Sequence, residues 1–189
     1  GAVLVHLDAE GKADYQFLSD TAWDRIAWTP SLRELALSAD ALCFGTLGQR
    51  SAHSRETIGR FLRATRSDCL RVFDINLRQH FHSAELVRAS LEAANALKVN
   101  DEELPMLADW FRLQGEPERQ LATLLDHFAL RAAVLTCGPR GAWMITPEGS
   151  SFASPPPVDV VSTVGAGDAF TAAVVMGLLA GNPLDEVNR

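Results

Sequence analysis

The chain has 189 residues, of which 47% are hydrophobic, so it can bury a substantial core and is most simply organised around one main domain. Its formal net charge of −7 argues against general binding of nucleic acid or of a membrane surface. The three scattered cysteines do not suggest a disulfide framework, and the longest apolar run, residues 172–180, is too short to span a bilayer. These totals favour a cytoplasmic protein.

The first predicted element is a β-hairpin. Residues 2–7 and 13–18 have the character of strands, and they flank a polar turn at residues 8–12. We expect residues 1–30 to form this hairpin and its connection, and residues 31–189 to form the main α/β domain.

Strands and helices alternate along the rest of the chain. The predicted strands are residues 39–44, 70–75, 97–99, 132–136 and 142–146, with a strand end at 158–161. The predicted helices are residues 54–65, 84–97, 103–110, 117–128 and 169–179. This order predicts a Rossmann-like, mostly parallel sheet with helices on both faces. Ligands bind beyond the carboxyl ends of such strands, so the segments that follow the strands are expected to converge on one edge.

A glycine turn precedes the last predicted helix, in the stretch VSTVGAGDAF at residues 161–170. Asp168 is predicted to lie in the first helical turn. The helix dipole stabilises a carboxylate at this position whether or not it has a function. The alternative is a functional site in which the same N–H groups bind a phosphate and Asp168 acts as a base. The dinucleotide pattern GxGxxG fails because position 170 is Phe, and the P-loop pattern GxxxxGK[ST] is absent from the sequence.

Polar groups follow another predicted strand in the stretch DINLR. Asp74, Asn76 and Arg78 occupy alternate positions, so their side chains can point the same way. The alternative is an ordinary strand-end turn with a solvated arginine.

Two further strand ends carry polar or glycine-rich segments. Asn100 to Glu103, an amide followed by three acids, suits a magnesium ion held through water, and it equally suits a helix N-cap. Both interpretations can hold together. The stretch TCGPRG at residues 136–141 offers a hydroxyl and backbone without side chains, which either lets a nucleotide approach closely or forms a simple β-turn.

These four segments together resemble the motifs of the ribokinase-like (PfkB) carbohydrate kinases. VVSTVGAGDAF resembles the family signature D-T-x-G-A-G-D-x-F, FDINLR its D-x-N-x-R strand, KVNDEEL its N-x-x-E element, and LTCGPRGA its T-x-G-x-x-G nucleotide segment. The resemblance implies a ribokinase-like fold, with the N-terminal hairpin as part of a small β lid. It also implies ATP-dependent phosphorylation of a sugar hydroxyl. The stretches GTLGQRSAHSRETIGRFL and FDINLRQHFH look most like fructokinases, which implies a hexose such as fructose.

The resemblance also implies residue roles. Asp168 is the expected catalytic base, and the backbone N–H groups of Gly165, Ala166 and Gly167 are the expected anion hole for the transferring phosphoryl group. The other positions carried over are Asn100 and Glu103 for magnesium, Thr136, Gly138, Gly141 and Asn100 for the nucleotide, and Asn76 and Arg78 for the substrate.

The sequence departs from the family pattern in two ways. Ser162 stands where the family usually has an aspartate that helps to hold a monovalent cation, which puts activation by potassium in doubt. The family's N-terminal sugar-binding region and last helices are not found, so we expect a fragment or truncated chain. The alternatives kept open are a 2-keto-3-deoxygluconate or nucleoside kinase and a truncated, non-catalytic nucleotide-binding module. The resemblance also suggests a homodimer formed through the lid.

Overall fold

The computed structural model describes residues 3–7, 13–160 and 163–189. It contains a main sheet of six strands and a separate sheet of two strands. The strands are β1 Val3–Leu7, β2 Ala13–Phe17, β3 Ala41–Phe44, β4 Leu70–Asp74, β5 Ala96–Asn100, β6 Ala132–Thr136, β7 Ala142–Thr146 and β8 Gly149–Ala153. The helices are α1 Pro30–Ser38, α2 Ala52–Ala64, α3 Ala84–Ala93, α4 Leu104–Phe111, α5 Pro117–His127, α6 Ala166–Ala180 and α7 Leu184–Val187.

The main sheet has the strand order β3-β4-β5-β6-β7-β8. Strands β3 to β6 are parallel, and β7 and β8 continue the sheet in antiparallel pairs. Each parallel step contains at least one helix, as a parallel crossover connection usually does. The predicted α/β fold with a mostly parallel sheet is therefore confirmed.

Both faces of the sheet are covered by helices, as the sequence predicts. Side chains alternate along β6, so Ala133 and Leu135 join the core beneath α2 to α5, while Ala132 and Val134 join a smaller core beneath α6 and α7. In β6 this alternation places apolar side chains on both faces of the sheet.

Several element boundaries differ from the predictions. The predicted helix 84–97 ends at Ala93, because β5 begins at Ala96 and pairs with β4 and β6. The predicted strand end at 158–161 is wrong for its described residues, 158–160, which are not a strand and expose Val158 and Val160. Three prolines precede them, and proline cannot donate to a strand ladder. Helix α6 begins at Ala166, three residues before its predicted start.

Among the α-helices and strands of the described residues, α1, β8 and α7 were not predicted. Helix α1 nevertheless begins with recognisable signals. The Thr29 hydroxyl accepts a hydrogen bond from the N–H of Leu32 at 3.2 Å, and Pro30 occupies the first helical position.

Strands β1 and β2 form a separate two-stranded antiparallel sheet, and the predicted connecting turn at residues 8–12 lies outside the described residues. The division of the chain into a lid region and a main domain at residue 30 stays a prediction. No helix in the described ranges has the length and apolar character that crossing a membrane requires.

A buried ion pair fixes the segment that follows β2 onto the start of α2. The guanidinium of Arg50 donates to both carboxylate oxygens of Asp24, from Nε at 2.7 Å and from Nη2 at 2.6 Å. It also donates to the carbonyl oxygen of Leu18 and lies over the rings of Trp23 and Phe81. Both charged side chains are about nine-tenths buried, so this pair holds the segment after β2 against the residues that precede α2.

This ion pair predicts an acid-sensitive contribution to stability. The hydrogen bond from Arg50 holds the pKa of Asp24 well below its ordinary value of 3.8. Folded Asp24 therefore binds its proton only at lower pH than unfolded Asp24. The stabilisation is fully present above the unfolded pKa and is lost as the pH falls from about 5 towards 2. We expect the difference in unfolding free energy between the wild type and Asp24→Asn, measured by urea denaturation, to narrow over this pH range. A difference that stays constant would contradict this assignment.

Candidate functional site

The four strand-end segments meet in one cleft of about 870 Å³ at the carboxyl edge of the parallel strands. Their convergence follows from the shared direction of β4, β5 and β6 and from the position of α6 beside them. The predicted site residues that line the cleft are Asn76, Arg78, Asn100, Thr136, Gly138, Gly141, Gly165, Ala166, Gly167 and Asp168. Glu103, the remaining predicted residue, is buried and does not line the cleft.

The glycine turn forms the start of α6. Gly165 is the residue before the helix and has a φ of 79°, a left-handed conformation that favours glycine. The N–H of Ala166 donates to the carbonyl oxygen of Thr163, and the N–H of Ala169 donates to that of Gly165. Asp168 lies in the first turn of the helix and is exposed to the cleft. The turn therefore presents the positive end of a 15-residue helix and a carboxylate to the same space.

The segment after β4 is held by two neighbouring strand ends. The hydroxyl of Thr46, just past β3, lies 3.1 Å from the carbonyl oxygen of Ile75. The N–H of Leu77 donates to Oε1 of Glu103 at 2.9 Å. Asn76 adopts a positive φ of 47° between these two anchors. The anchors fix the backbone from which Asn76 and Arg78 extend into the cleft.

In the NDEE segment Asn100 caps the turn that precedes α4 and not the helix itself, whose N-cap residue is Glu103. The side-chain oxygen of Asn100 accepts hydrogen bonds from the N–H groups of Glu102 and Glu103, as a capping residue does. Glu103 in turn accepts the N–H of Asn100 with its Oε2, at 2.9 Å. Both carboxylate oxygens of Glu103 are thus hydrogen-bonded to backbone, one within its own segment and one to the segment after β4.

Among the residues that the structure describes, no group of three or more His, Cys, Asp or Glu side chains could by itself hold a metal ion. A divalent cation at this edge would need ligands from water or from a bound substrate. Ser162, on which the monovalent-cation prediction depends, lies outside the described residues.

The TCGPRG segment forms a tight connection between β6 and β7. The N–H of Cys137 donates to the carbonyl oxygen of Gly141 at 2.8 Å, and Arg140 forms an ion pair with Asp101 across the cleft edge. Gly141 has a φ of 118°, and a Cβ at this position would lie 2.3 Å from the carbonyl oxygen of Ala153. Glycine is therefore required here by the close approach of β8, in addition to any role beside a nucleotide.

Asp74, the first residue of the predicted DINLR triplet, belongs to a buried polar cluster under the glycine turn, and its partners Lys98 and Thr171 were missed. Asp74 and Lys98 also line the cleft. Lys98 on β5 lies directly opposite Asp74 on β4, with Lys98 Nζ 3.1 Å from Asp74 Oδ1, and Thr171 of α6 contacts the same carboxylate. The available signal was a charge within two largely apolar strands: ALKVN contains Lys98 alone, and LRVFD contains Asp74 in addition to Arg71. Such buried charges are normally paired.

Comparison with known proteins identifies similar chains. Residues 3–189 match the family model described as pfkB family carbohydrate kinase. A fructokinase from Rhizobium leguminosarum bv. trifolii is 31% identical over 180 residues, which cover 92% of this chain and 53% of the relative. The chain thus spans about half the length of this relative.

Two solved structures show the same fold. A sugar kinase from Pyrococcus horikoshii, in complex with ATP, superposes with a TM-score of 0.78 at 23% identity, over 98% of this chain and 60% of that one. A ribokinase II from E. coli, in complex with ATP and Mg²⁺, gives a TM-score of 0.76 at 17% identity, over 94% and 58%.

The two glycines of the TCGPRG turn predict different costs of substitution. Gly141→Ala should lower the unfolding free energy by about 3 kcal/mol, because it combines a strained backbone with a clash against β8. Gly138→Ala should cost only about 1 kcal/mol, because its φ is also positive but a Cβ there meets nothing within 4 Å. Chemical denaturation of the two variants measures both values. Equal losses would show that the approach of Ala153 does not constrain position 141.

Proposed function

The chain belongs to the pfkB family of carbohydrate kinases, and on that premise we propose that it transfers the γ-phosphoryl group of ATP to a hydroxyl of a sugar, a hexose such as fructose. The observation that carries this proposal is the convergence of the four strand-end segments on one cleft. The glycine turn and Asp168 lie together in that cleft, where a phosphate and an attacking hydroxyl can meet. Phosphoryl transfer depends mainly on such positioning and on stabilisation of charge.

In the proposed reaction, Asp168 accepts the proton of the sugar hydroxyl as its oxygen attacks the γ-phosphorus. The bond between that phosphorus and the bridging oxygen of ADP breaks, and ADP leaves with the electron pair. The N–H groups of Gly165, Ala166 and Gly167 receive the negative charge of the transferring group. Their place at the N-terminus of α6 supports this role, because N–H groups at the start of a helix have no partner within the helix. The N–H of Ala166 donates to the carbonyl oxygen of Thr163 in this structure, so it would have to exchange that partner for the phosphoryl group.

We assign the nucleotide side to Thr136, Gly138, Gly141 and Asn100. These residues lie at the ends of β5 and β6 and line the cleft. The structural neighbours with bound ATP share this fold, which supports ATP as the phosphoryl donor. Glycine at positions 138 and 141 leaves the backbone accessible at the edge where a nucleotide would lie.

The chemistry of the NDEE segment is compatible with magnesium held largely through water. Magnesium typically keeps several waters and binds through few carboxylates together with substrate phosphates. Asp101 and Glu102 line the cleft, while Asn100 and Glu103 orient the segment through their hydrogen bonds. We propose that Asn100 and Glu103 support the ion in this way, and a bound magnesium would neutralise charge on the phosphates.

The substrate side is assigned to Asn76 and Arg78, which extend into the cleft from the segment after β4. The fructokinase relative supports a hexose as substrate. The alternative substrates, 2-keto-3-deoxygluconate and a nucleoside, are included in the substrate panel described below. The truncated, non-catalytic binding module is the outcome in which nucleotide binds without turnover.

Three further expectations accompany the proposal. A cytoplasmic location and a homodimer formed through the β1–β2 hairpin stay predictions, as does the doubt about activation by potassium that Ser162 raises. Analytical ultracentrifugation would test the homodimer, and a comparison of activity in sodium and potassium buffers would test activation by potassium.

The proposal predicts ADP release from Mg-ATP that depends on an added substrate. The panel is D-fructose, fructose 1-phosphate, 2-keto-3-deoxygluconate and a nucleoside, with a coupled assay for ADP. Asp168→Asn should lower kcat by at least about 100-fold, the usual contribution of a general base, and leave ATP affinity within about twofold.

Asp185→Asn is the matched control, because Asp185 also lies in the first turn of a helix but does not line the cleft. It should keep full activity. Substrate-dependent turnover that survives Asp168→Asn would overturn the assignment of the base. ATP binding without ADP release on any substrate would favour the non-catalytic module.

A further inference from the structure

Three polar residues are buried together between the sheet and the first turn of α6. Asp74 and Lys98 are each 8% exposed and Thr171 is 5% exposed. They come from three elements, β4, β5 and α6, whose sequence positions are far apart. Asp74 is the aspartate of the stretch that resembles the family's D-x-N-x-R strand, but the reaction proposed above assigns no role to it, to Lys98 or to Thr171.

The contacts of the cluster lead from the sheet to the glycine turn. Lys98 Nζ lies 3.1 Å from Asp74 Oδ1, and the hydroxyl of Thr171 lies 2.9 Å from Asp74 Oδ2. The same hydroxyl is 3.0 Å from the carbonyl oxygen of Gly167, so its single proton is available to either acceptor. A Cβ on Gly167 would stand 3.4 Å from Lys98 Nζ, which places the ammonium group against the turn itself.

Stability alone does not explain this arrangement. Two charges taken out of water lose hydration, and well-packed apolar side chains in their place are often as stable or more stable. Val72 and Val134 occupy neighbouring positions in the same small core, where apolar side chains fill the space between the sheet and the helices. The polar cluster occurs where the sheet meets the start of α6.

We propose that Lys98, Asp74 and Thr171 are positioning residues that hold the first turn of α6, and with it the glycine turn, at a fixed place over the ends of β4 and β5. The ion pair fixes the Asp74 carboxylate, and the carboxylate anchors α6 through Thr171. The predicted effect on kcat rests on the proposed function, whereas the predicted effect on the position of the turn does not.

The test removes only the hydroxyl of Thr171. Thr171→Val keeps the side-chain shape and loses both contacts, while Thr171→Ser keeps the hydroxyl. Thr123→Val is the matched control, because the Thr123 hydroxyl makes the same bond to the carbonyl four residues earlier, in a helix that does not line the cleft.

The first measurement is amide hydrogen exchange, followed by mass spectrometry. Thr171→Val should raise exchange in the peptide spanning residues 165–171 by about tenfold, the order expected for one buried hydrogen bond. Thr171→Ser should restore the wild-type rate, and Thr123→Val should leave this peptide unchanged. Unchanged exchange in Thr171→Val, or an equal rise in peptides from β4, β5 and β6, would overturn the proposal.

The second measurement separates this inference from the proposed function. If the chain has kinase activity, Thr171→Val should lower kcat by about tenfold with KM for ATP changed by less than about twofold, because the displaced turn no longer matches the transition state. A rise in KM with kcat unchanged would overturn the positioning role. If the wild type has no kinase activity, the proposed function fails, and the exchange result alone still decides whether the cluster fixes the turn.

Discussion

The parallel direction of β3 to β6 is the constraint on which the rest of this structure depends. Parallel strands end at the same edge, so residues far apart in sequence, such as Asn76, Asn100 and Thr136, come to line one cleft. Helix α6 returns over the sheet and brings the glycine turn to that edge. A pairing shifted by one residue would turn every polar side chain of a strand end to the opposite face.

Hydrogen bonds between the strand ends then convert this shared edge into a defined site. Glu103 ties the segment after β4 to the segment after β5 through two backbone N–H groups. Asp74, Lys98 and Thr171 make the corresponding connection between the same strands and α6. The buried carboxylate of Glu103 orients backbone and that of Asp74 contacts the side chains of Lys98 and Thr171, whereas Asp168 is exposed and faces the cleft. Because these two buried carboxylates are engaged in contacts within the protein, the negative net charge of the chain does not by itself exclude an anionic ligand from the cleft.

The sequence was most informative where local chemistry defines an element. Alternation of apolar stretches predicted the central strands, and the glycines around Asp168 predicted the turn at the start of α6. Sequence was less informative where a partner lies far along the chain. Nothing in ALKVN reveals that Lys98 faces Asp74, because strand register is set by the assembled sheet. Strand β8 was missed because GSSFA has little apolar character, and the valines at 158–160 resemble a strand but follow three prolines.

The central claim is that the cleft binds nucleotide phosphates at the glycine turn. Titration of the isotope-labelled chain with Mg-ATP, followed by amide chemical shifts in NMR spectra, tests it most directly. The account predicts saturable shifts that are largest at residues 136–141 and 165–168. Saturable shifts confined to another surface, such as the region around Arg50 and His53, or no saturable shift at millimolar ATP, would contradict it.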